Sequence, residues 1–227
     1  MSATIEQQEQ PTSNSKKMLT AMVGIGALCA LLIVLTYEGT AERIAFLKQE
    51  ALQNAIFKVL PGIEKTRAFY LDKEGHFKPL AENQKEATVV YAGFTGQGEL
   101  AGLAIQGAGQ GYADVIKVLY GYNPQKEEIV GFYVLESKET PGLGDKIEKD
   151  EIFLANFKAM DVKLNADKSQ LVNSVTTVKS GEKNNLWEVD GITGATISSR
   201  AIGNILNEST SEMLPIIQRN ISEFKIQ

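Results

Sequence analysis

The 227-residue chain is 43% hydrophobic and 22% charged, the proportions of an ordinary folded protein, which excludes a disordered or collagen-like class. Its net charge of −5 comes from 23 basic residues scattered among 28 acidic ones, so it has no basic patch of the kind that binds nucleic acid. With one cysteine, Cys29, and one histidine, His76, the sequence has no residues for a disulfide framework, a structural metal centre, an iron–sulfur cluster or a haem attachment. Any redox chemistry here must therefore use an organic cofactor.

Residues 1–17 are polar and contain a proline, as expected of a short tail. Met18 to Tyr37 is an uncharged apolar run of about 20 residues, which at ~1.5 Å per residue spans a hydrocarbon core of ~30 Å. Gly39-Thr40-Ala41 resembles a signal cleavage site, but signal cores are shorter, about 7–15 residues, so the run is read as a retained anchor. Lys16 and Lys17 abut it on one side, while Arg43 and Lys48 stand further off on the other. The basic residues tie in number. Their proximity favours a cytoplasmic tail and an exported remainder. The chain divides accordingly into a cytoplasmic tail (1–17), a transmembrane helix (18–37) and an extracytoplasmic domain (38–227).

From Thr40 to Leu60 the apolar residues Ile44, Leu47, Ala51, Ala55 and Val59 recur at helical spacing, ended by Pro61-Gly62. Strands are expected at Thr88–Phe94, Leu100–Ile105, Val115–Tyr122 and Ile129–Leu135, with Asn123-Pro124 turning a hairpin. Gly107, Gly109 and Gly111 read as a loop before Tyr112. Glu151 to Met160 reads as a short helix buried through Ile152, Phe153 and Phe157, and Val172–Val178 and Leu186–Val189 as two more strands. A helix starts near Ser198, and Pro215 is expected to begin a last one carrying Ile217, Ile221 and Phe224. The fold class is α+β: an antiparallel sheet with flanking helices, preceded by one N-terminal transmembrane helix.

Three segments merit a functional reading. Gly96-Gln97-Gly98-Glu99-Leu100-Ala101 has the spacing of a dinucleotide-binding turn, but a strand follows it where that motif opens a helix, so it reads as a hairpin turn. In Glu139-Thr140-Pro141-Gly142-Leu143-Gly144, Pro141-Gly142 suits the centre of a type II turn. That segment is either a plain loop or backbone kept bare for a flat ligand. Asp190-Gly191-Ile192-Thr193-Gly194-Ala195-Thr196 lies between a strand and a helix, so its small residues leave the Thr196 hydroxyl unshielded near a helix N-terminus, where phosphate is favoured. The plain alternative makes Ser198 or Ser199 a helix N-cap, with no chemistry at Thr196. Asp190 either hydrogen-bonds the turn or assists proton removal.

Asp190–Thr196 (D-G-I-T-G-A-T) resembles the flavinylation motif D-x-x-[ST]-G-A-[ST] of bacterial FMN-binding domains. Val134–Glu148, together with Gly111-Tyr112 and the single anchor, is similar to the G subunit of the Rnf ion-translocating electron transport complexes. The resemblance implies FMN joined through a phosphoester to Thr196 by a flavin transferase that uses FAD. It also implies that Glu139, Thr140, Leu143 and Gly144 line the isoalloxazine, with Gly191, Thr193, Gly194 and Ala195 towards the phosphate. The implied role is an extracytoplasmic electron relay among the other Rnf subunits, in a bacterial cytoplasmic membrane between ferredoxin and NAD⁺, not catalytically complete alone. Ser137 stands where the family often has a histidine. The rival readings are the C subunit of the sodium-pumping NADH:quinone reductase, which shares T-P-G-L-G, and a membrane-tethered structural module without flavin.

Overall fold

The computed structural model describes residues 15–81 and 88–225. The chain divides into two units, one running to Gln49 and the other from Glu50 to Gln227. Over its described residues the first unit is the larger part of α1 (Ser15–Val59), a helix long and apolar enough to cross a membrane. The charge-free run and the helical stripe beyond it thus form one continuous helix. Of that stripe, Ala55 and Val59 are buried, whereas Ile44 and Leu47 are exposed.

The second unit is built on a seven-stranded sheet in the order β2-β1-β3-β4-β5-β6-β7, every neighbouring pair antiparallel. Its strands are β1 (Lys65–Leu71), β2 (Phe77–Pro79), β3 (Val89–Phe94), β4 (Leu100–Gln110), β5 (Val115–Asn123), β6 (Glu128–Glu136) and the two-residue β7 (Met160–Asp161). Two short helices, α2 (Lys146–Lys149) and α3 (Glu151–Ala155), follow β6. A separate parallel pair, β8 (Thr176–Val178) and β9 (Glu188–Asp190), leads into α4 (Thr196–Arg219) and a final 3-10 turn, Ile221–Glu223.

Alternation along the strands sends side chains to opposite faces, and each face meets a different helix. Leu103, Ile105, Val118 and Tyr120 belong to the main core, which α4 closes with Ile202, Ile205, Leu206, Leu214 and Ile217. Ala104 and Leu119, pointing the other way, pack with Ala55, Ile56, Val59 and Leu60 at the end of α1. Gly121 and Gly131 are register partners on β5 and β6, and a Cβ on either would run into the Val59 carbonyl. The chain leaves α1 through a slot that only glycine keeps open.

Several expectations need correction. Gly107 and Gly109 lie inside β4, not in a loop, because the Ile205 side chain occupies the space above them. A Cβ would sit 2.8 Å from Ile205 at Gly107 and 2.6 Å at Gly109. The helix expected over 151–160 stops at Ala155, and Ile152 is 78% exposed while Phe153 and Phe157 are buried. Phe157 stacks instead on Phe132, at 4.3 Å between ring centroids. Of the two later strands only Thr176–Val178 and Glu188–Asp190 form, and Val172 and Leu186 are exposed. Pro215 starts no helix. It sits buried inside α4, between the buried Leu214 and Ile217, so core contacts on both sides carry the helix through it. β1 and β2 were not foreseen at all.

Candidate functional site

The loop after β6 is organised around one turn and one buried acid. Leu143 N donates to the Thr140 carbonyl at 3.1 Å, closing a turn with Pro141 and Gly142 at its centre and Gly142 at φ +80°. Asp145 fastens the turn by accepting from Gly142 N at 2.7 Å. The Lys149 ammonium beside Asp145, 2.7 Å away, holds its carboxyl below the usual carboxylate range.

Glu139, just before this turn, is 6% exposed. One of its carboxylate oxygens accepts from Ala113 N at 2.9 Å, and the other accepts from the Ser198 hydroxyl. Gly111 and Gly144 are packed against the same carboxylate, so closely that a Cβ on either would lie 2.5 Å from it. One buried side chain therefore ties the β4–β5 hairpin, the loop after β6 and the first turn of α4 together.

The second loop is tied mostly through its backbone. Gly191 N donates to the Val178 carbonyl at 3.1 Å. Ala195 N donates to the Ile192 carbonyl at 3.0 Å, making Thr193 and Gly194 the centre of a turn, with Gly194 at φ +86°. Ser199 locks this turn from inside α4. Its hydroxyl accepts from Ile192 N at 3.0 Å and donates to the Ala195 carbonyl at 2.9 Å. Neither Ser198 nor Ser199 is the N-cap. Ala195 holds that position and offers no side-chain oxygen, so the leading N–H groups of α4 have no side-chain cap. Thr196, the first helical residue, is exposed.

These two loops form the walls of one cavity of about 310 Å³. Glu139, Thr140, Leu143 and Gly144 line it from one side, Gly194, Ala195 and Thr196 from the other, with Tyr112, Ile197 and Ser198 completing it. The remaining candidates lie elsewhere. Gly191 and Thr193 line a second cavity across the loop, also about 310 Å³, which Gly194 and Thr196 share with Thr177–Ser180 and Glu182. Asp190 lines neither. Its carboxylate accepts from Gly181 N at 2.7 Å, and its backbone is bracketed by the Asn156 amide at 3.0 and 3.2 Å. Asp190 thus ties β9 to the connection between β8 and β9 and to Asn156, and its carboxylate bonds the Gly181 turn instead of the turn at 192–195. A larger cavity of about 430 Å³, lined by Tyr91, Gln106, Glu208 and Glu212 among others, contains none of these segments.

Sequence reasoning used Tyr112 only for the resemblance and Ser198 only as a candidate cap, and placed neither of them nor Ile197 in the cavity. The structure leaves Tyr112, an aromatic residue following a glycine, 67% exposed at the cavity. Nothing local distinguishes Ser198, whose partner is 59 residues away.

Residues 111–211, which span both loops, match the family model described as the FMN-binding domain. The chain is 29% identical to the G subunit of the ion-translocating oxidoreductase complex of Methanosarcina acetivorans, over 85% of this chain and 91% of that protein. The protein of the same name from Aliivibrio fischeri is also 29% identical, over 84% and 85%. Among solved structures, Shewanella oneidensis NqrC superposes with a TM-score of 0.58 at 17% identity, over 78% of this chain and 95% of that one. The C subunit of the Na⁺-translocating NADH-quinone reductase from Parabacteroides distasonis gives 0.55 at 18%, with the same coverage. At such identity the structures establish a shared fold. Residues 111–211 thus match an FMN-binding domain, in a chain that combines an antiparallel sheet with a long apolar N-terminal helix, and the chain is similar to the G subunits of ion-translocating oxidoreductase complexes.

Proposed function

We propose that this protein is the electron-relay subunit of a membrane-bound ion-translocating oxidoreductase of the ferredoxin:NAD type, carrying FMN on Thr196 through a phosphoester bond. The observation that carries the reading is the single cavity walled by Glu139–Gly144 on one side and Gly194–Thr196 on the other. Its volume lies at the lower end of the range for small-molecule sites, its lining mixes apolar and hydroxyl groups, and the exposed Thr196 stands at its edge, where a covalent bond can hold a phosphate. Those features fit a flavin ring with a phosphate at one end. Bound FMN supplies the electron-carrying chemistry that this chain's own side chains lack.

In this reading the protein's residues hold and orient. Thr196 offers an exposed oxygen on the first residue of a rigid helix, beside the equally exposed Thr193-Gly194 turn. A threonine hydroxyl is a weak nucleophile at neutral pH, so a flavin transferase with a divalent cation would supply the activation, the Thr196 oxygen losing its proton and displacing AMP as the pyrophosphate bond of FAD breaks. Leu143, 53% exposed, and Tyr112 give the ring apolar surface, and the Thr140–Leu143 turn fixes the wall that Leu143 belongs to. Ser199 keeps the attachment loop in place, while Asp190 fastens the neighbouring connection at Gly181. Ser137, which accepts from Glu139 N at 3.2 Å, helps hold the start of the loop where related chains often carry histidine.

The topology proposed with this function is a cytoplasmic tail over 1–17, an anchor over 18–37 and the remainder outside the cytoplasm, among the other subunits of the complex. An export-dependent reporter fused after the last residue should be active, and activity of a cytoplasm-only reporter there would reverse the orientation. The chemical test is intact mass after co-expression with the transferase. Wild type should gain one esterified FMN, Thr196→Ala none, and Thr196→Ser should retain it. An adduct persisting in Thr196→Ala, or none on wild type with an active transferase, would overturn the assignment.

A further inference from the structure

The N-terminus of α4 is already provided with a negative charge. Thr196 is the first residue of that helix and Ser198 the third, and the Ser198 hydroxyl donates to Glu139. Glu139 is 6% exposed, and among the described residues no lysine, arginine or histidine forms a salt bridge with it. The adjacent lysine, Lys138, is engaged by Asp114. What compensates the buried carboxylate is therefore Ala113 N–H, the Ser198 hydroxyl and the partial positive charge at the start of a 24-residue helix. Glycines at 111 and 144 let the carboxylate seat there, since a Cβ at either position would collide with it. The same helix terminus is the place where a phosphate on Thr196 would lie.

We propose that Glu139 pre-neutralises the N-terminus of α4, so that the cavity selects the flavin ring and disfavours a free phosphate, which it accepts only through the covalent bond to Thr196. This inference rests on the flavin-site reading above and adds a specificity role for Glu139. A helix N-terminus attracts one anion well, whereas two anions at the same terminus repel across a low-dielectric wall. Uncapped helix termini usually bind phosphate readily. This one does so poorly, and that is a physical reason for an ester at this position: the bond holds a phosphate that the helix terminus alone does not.

The experiment uses the full chain with Thr196→Ala, so that no covalent flavin forms, and measures riboflavin and FMN binding by quenching of flavin fluorescence. With Glu139 present, FMN should bind no better than riboflavin. Glu139→Gln can still meet both Ala113 N–H and the Ser198 hydroxyl while losing the charge, and should shift the FMN-to-riboflavin preference towards FMN by roughly fivefold. A second measurement keeps Glu139 in place. A few millimolar inorganic phosphate at constant ionic strength should leave the melting temperature of the Thr196→Ala protein unchanged. Riboflavin binding combined with an unchanged preference in Glu139→Gln would overturn this inference alone. So would strong FMN preference, or a phosphate-induced rise in melting temperature, with Glu139 intact. Failure of both proteins to bind either flavin would remove the flavin-site reading, and this inference with it.

Discussion

The two faces of the sheet are sealed by helices in opposite ways. On the α4 face, glycines in β4 accommodate a side chain, Ile205, whose branches can rotate or shift. On the α1 face, Gly121 and Gly131 accommodate backbone, the Val59 carbonyl itself. Side chains yield and backbone does not, so the two faces differ in how much change they absorb. The face that yields is the one whose helix presents Thr196, whereas the rigid face receives the end of α1.

Gly121→Ala should have the largest effect. The added methyl meets a carbonyl with no rotamer to move, and we expect a loss of more than about 3 kcal/mol, read as a large drop in the urea midpoint. A midpoint unchanged by that substitution would break the comparison outright. Gly109→Ala, at 2.6 Å from Ile205, should lose less, about 1–3 kcal/mol, because the isoleucine can move. Trimming that neighbour sharpens the contrast: Ile205→Val should recover part of the Gly109→Ala loss, while no side-chain trimming at Val59 should rescue Gly121→Ala.

Gly142 calibrates both faces, because it lies at φ +80° with nothing within 4 Å of the place a methyl would take. Gly142→Ala should cost about 1 kcal/mol from backbone conformation alone, without a packing component. The smallest effect is electrostatic and lies away from both faces. Hydrogen bonding to Glu223, at 2.8 Å, raises the pKa of the exposed His76 above its ordinary 6.5, and the nearby Glu223 charge adds to this. Folding therefore favours the protonated ring. The contribution is complete below the unfolded-state value and is lost as pH rises through the higher folded-state value. Urea midpoints at about pH 6 and about pH 9 should differ more in wild type than in His76→Ala. Equal differences would show that the pair is silent.

What the sequence made legible, and what it did not, follows the range of the forces involved. Pro141-Gly142 was readable as a turn centre because a left-handed φ is a local demand that few residues meet, whereas Thr193-Gly194 was read only as small residues beside Thr196. The central strands were readable from β-branched and aromatic runs. The union of the two loops in one cavity was legible only through the family resemblance and not from local pattern, since it depends on Glu139 reaching Ser198 across the fold. Ser198 and Ser199 looked alike as candidate caps, yet one bonds a distant carboxylate and the other its own preceding turn. Pro215 signalled a helix start locally and was overruled by core contacts on either side. Gly107 and Gly109 read as loop because their reason for being small, Ile205, lies about a hundred residues further along the chain.

The ring of Phe224 has a consequence for the order of events in the protein's life. It packs at 5.1 Å on Phe69 in β1 and 4.7 Å on Phe77 in β2, while Glu223 beside it bonds His76 and Phe77 N. The first strands of the sheet are thus finished by residues made more than a hundred positions later, and α4 lies between them and Thr196. Contacts of such separation form late in folding. Thr196 acquires its rigid setting only after nearly the whole chain has been synthesised and closed on itself. If FMN is attached at Thr196 as proposed, a modifying enzyme that requires that setting would act on a finished domain and pass over a nascent one.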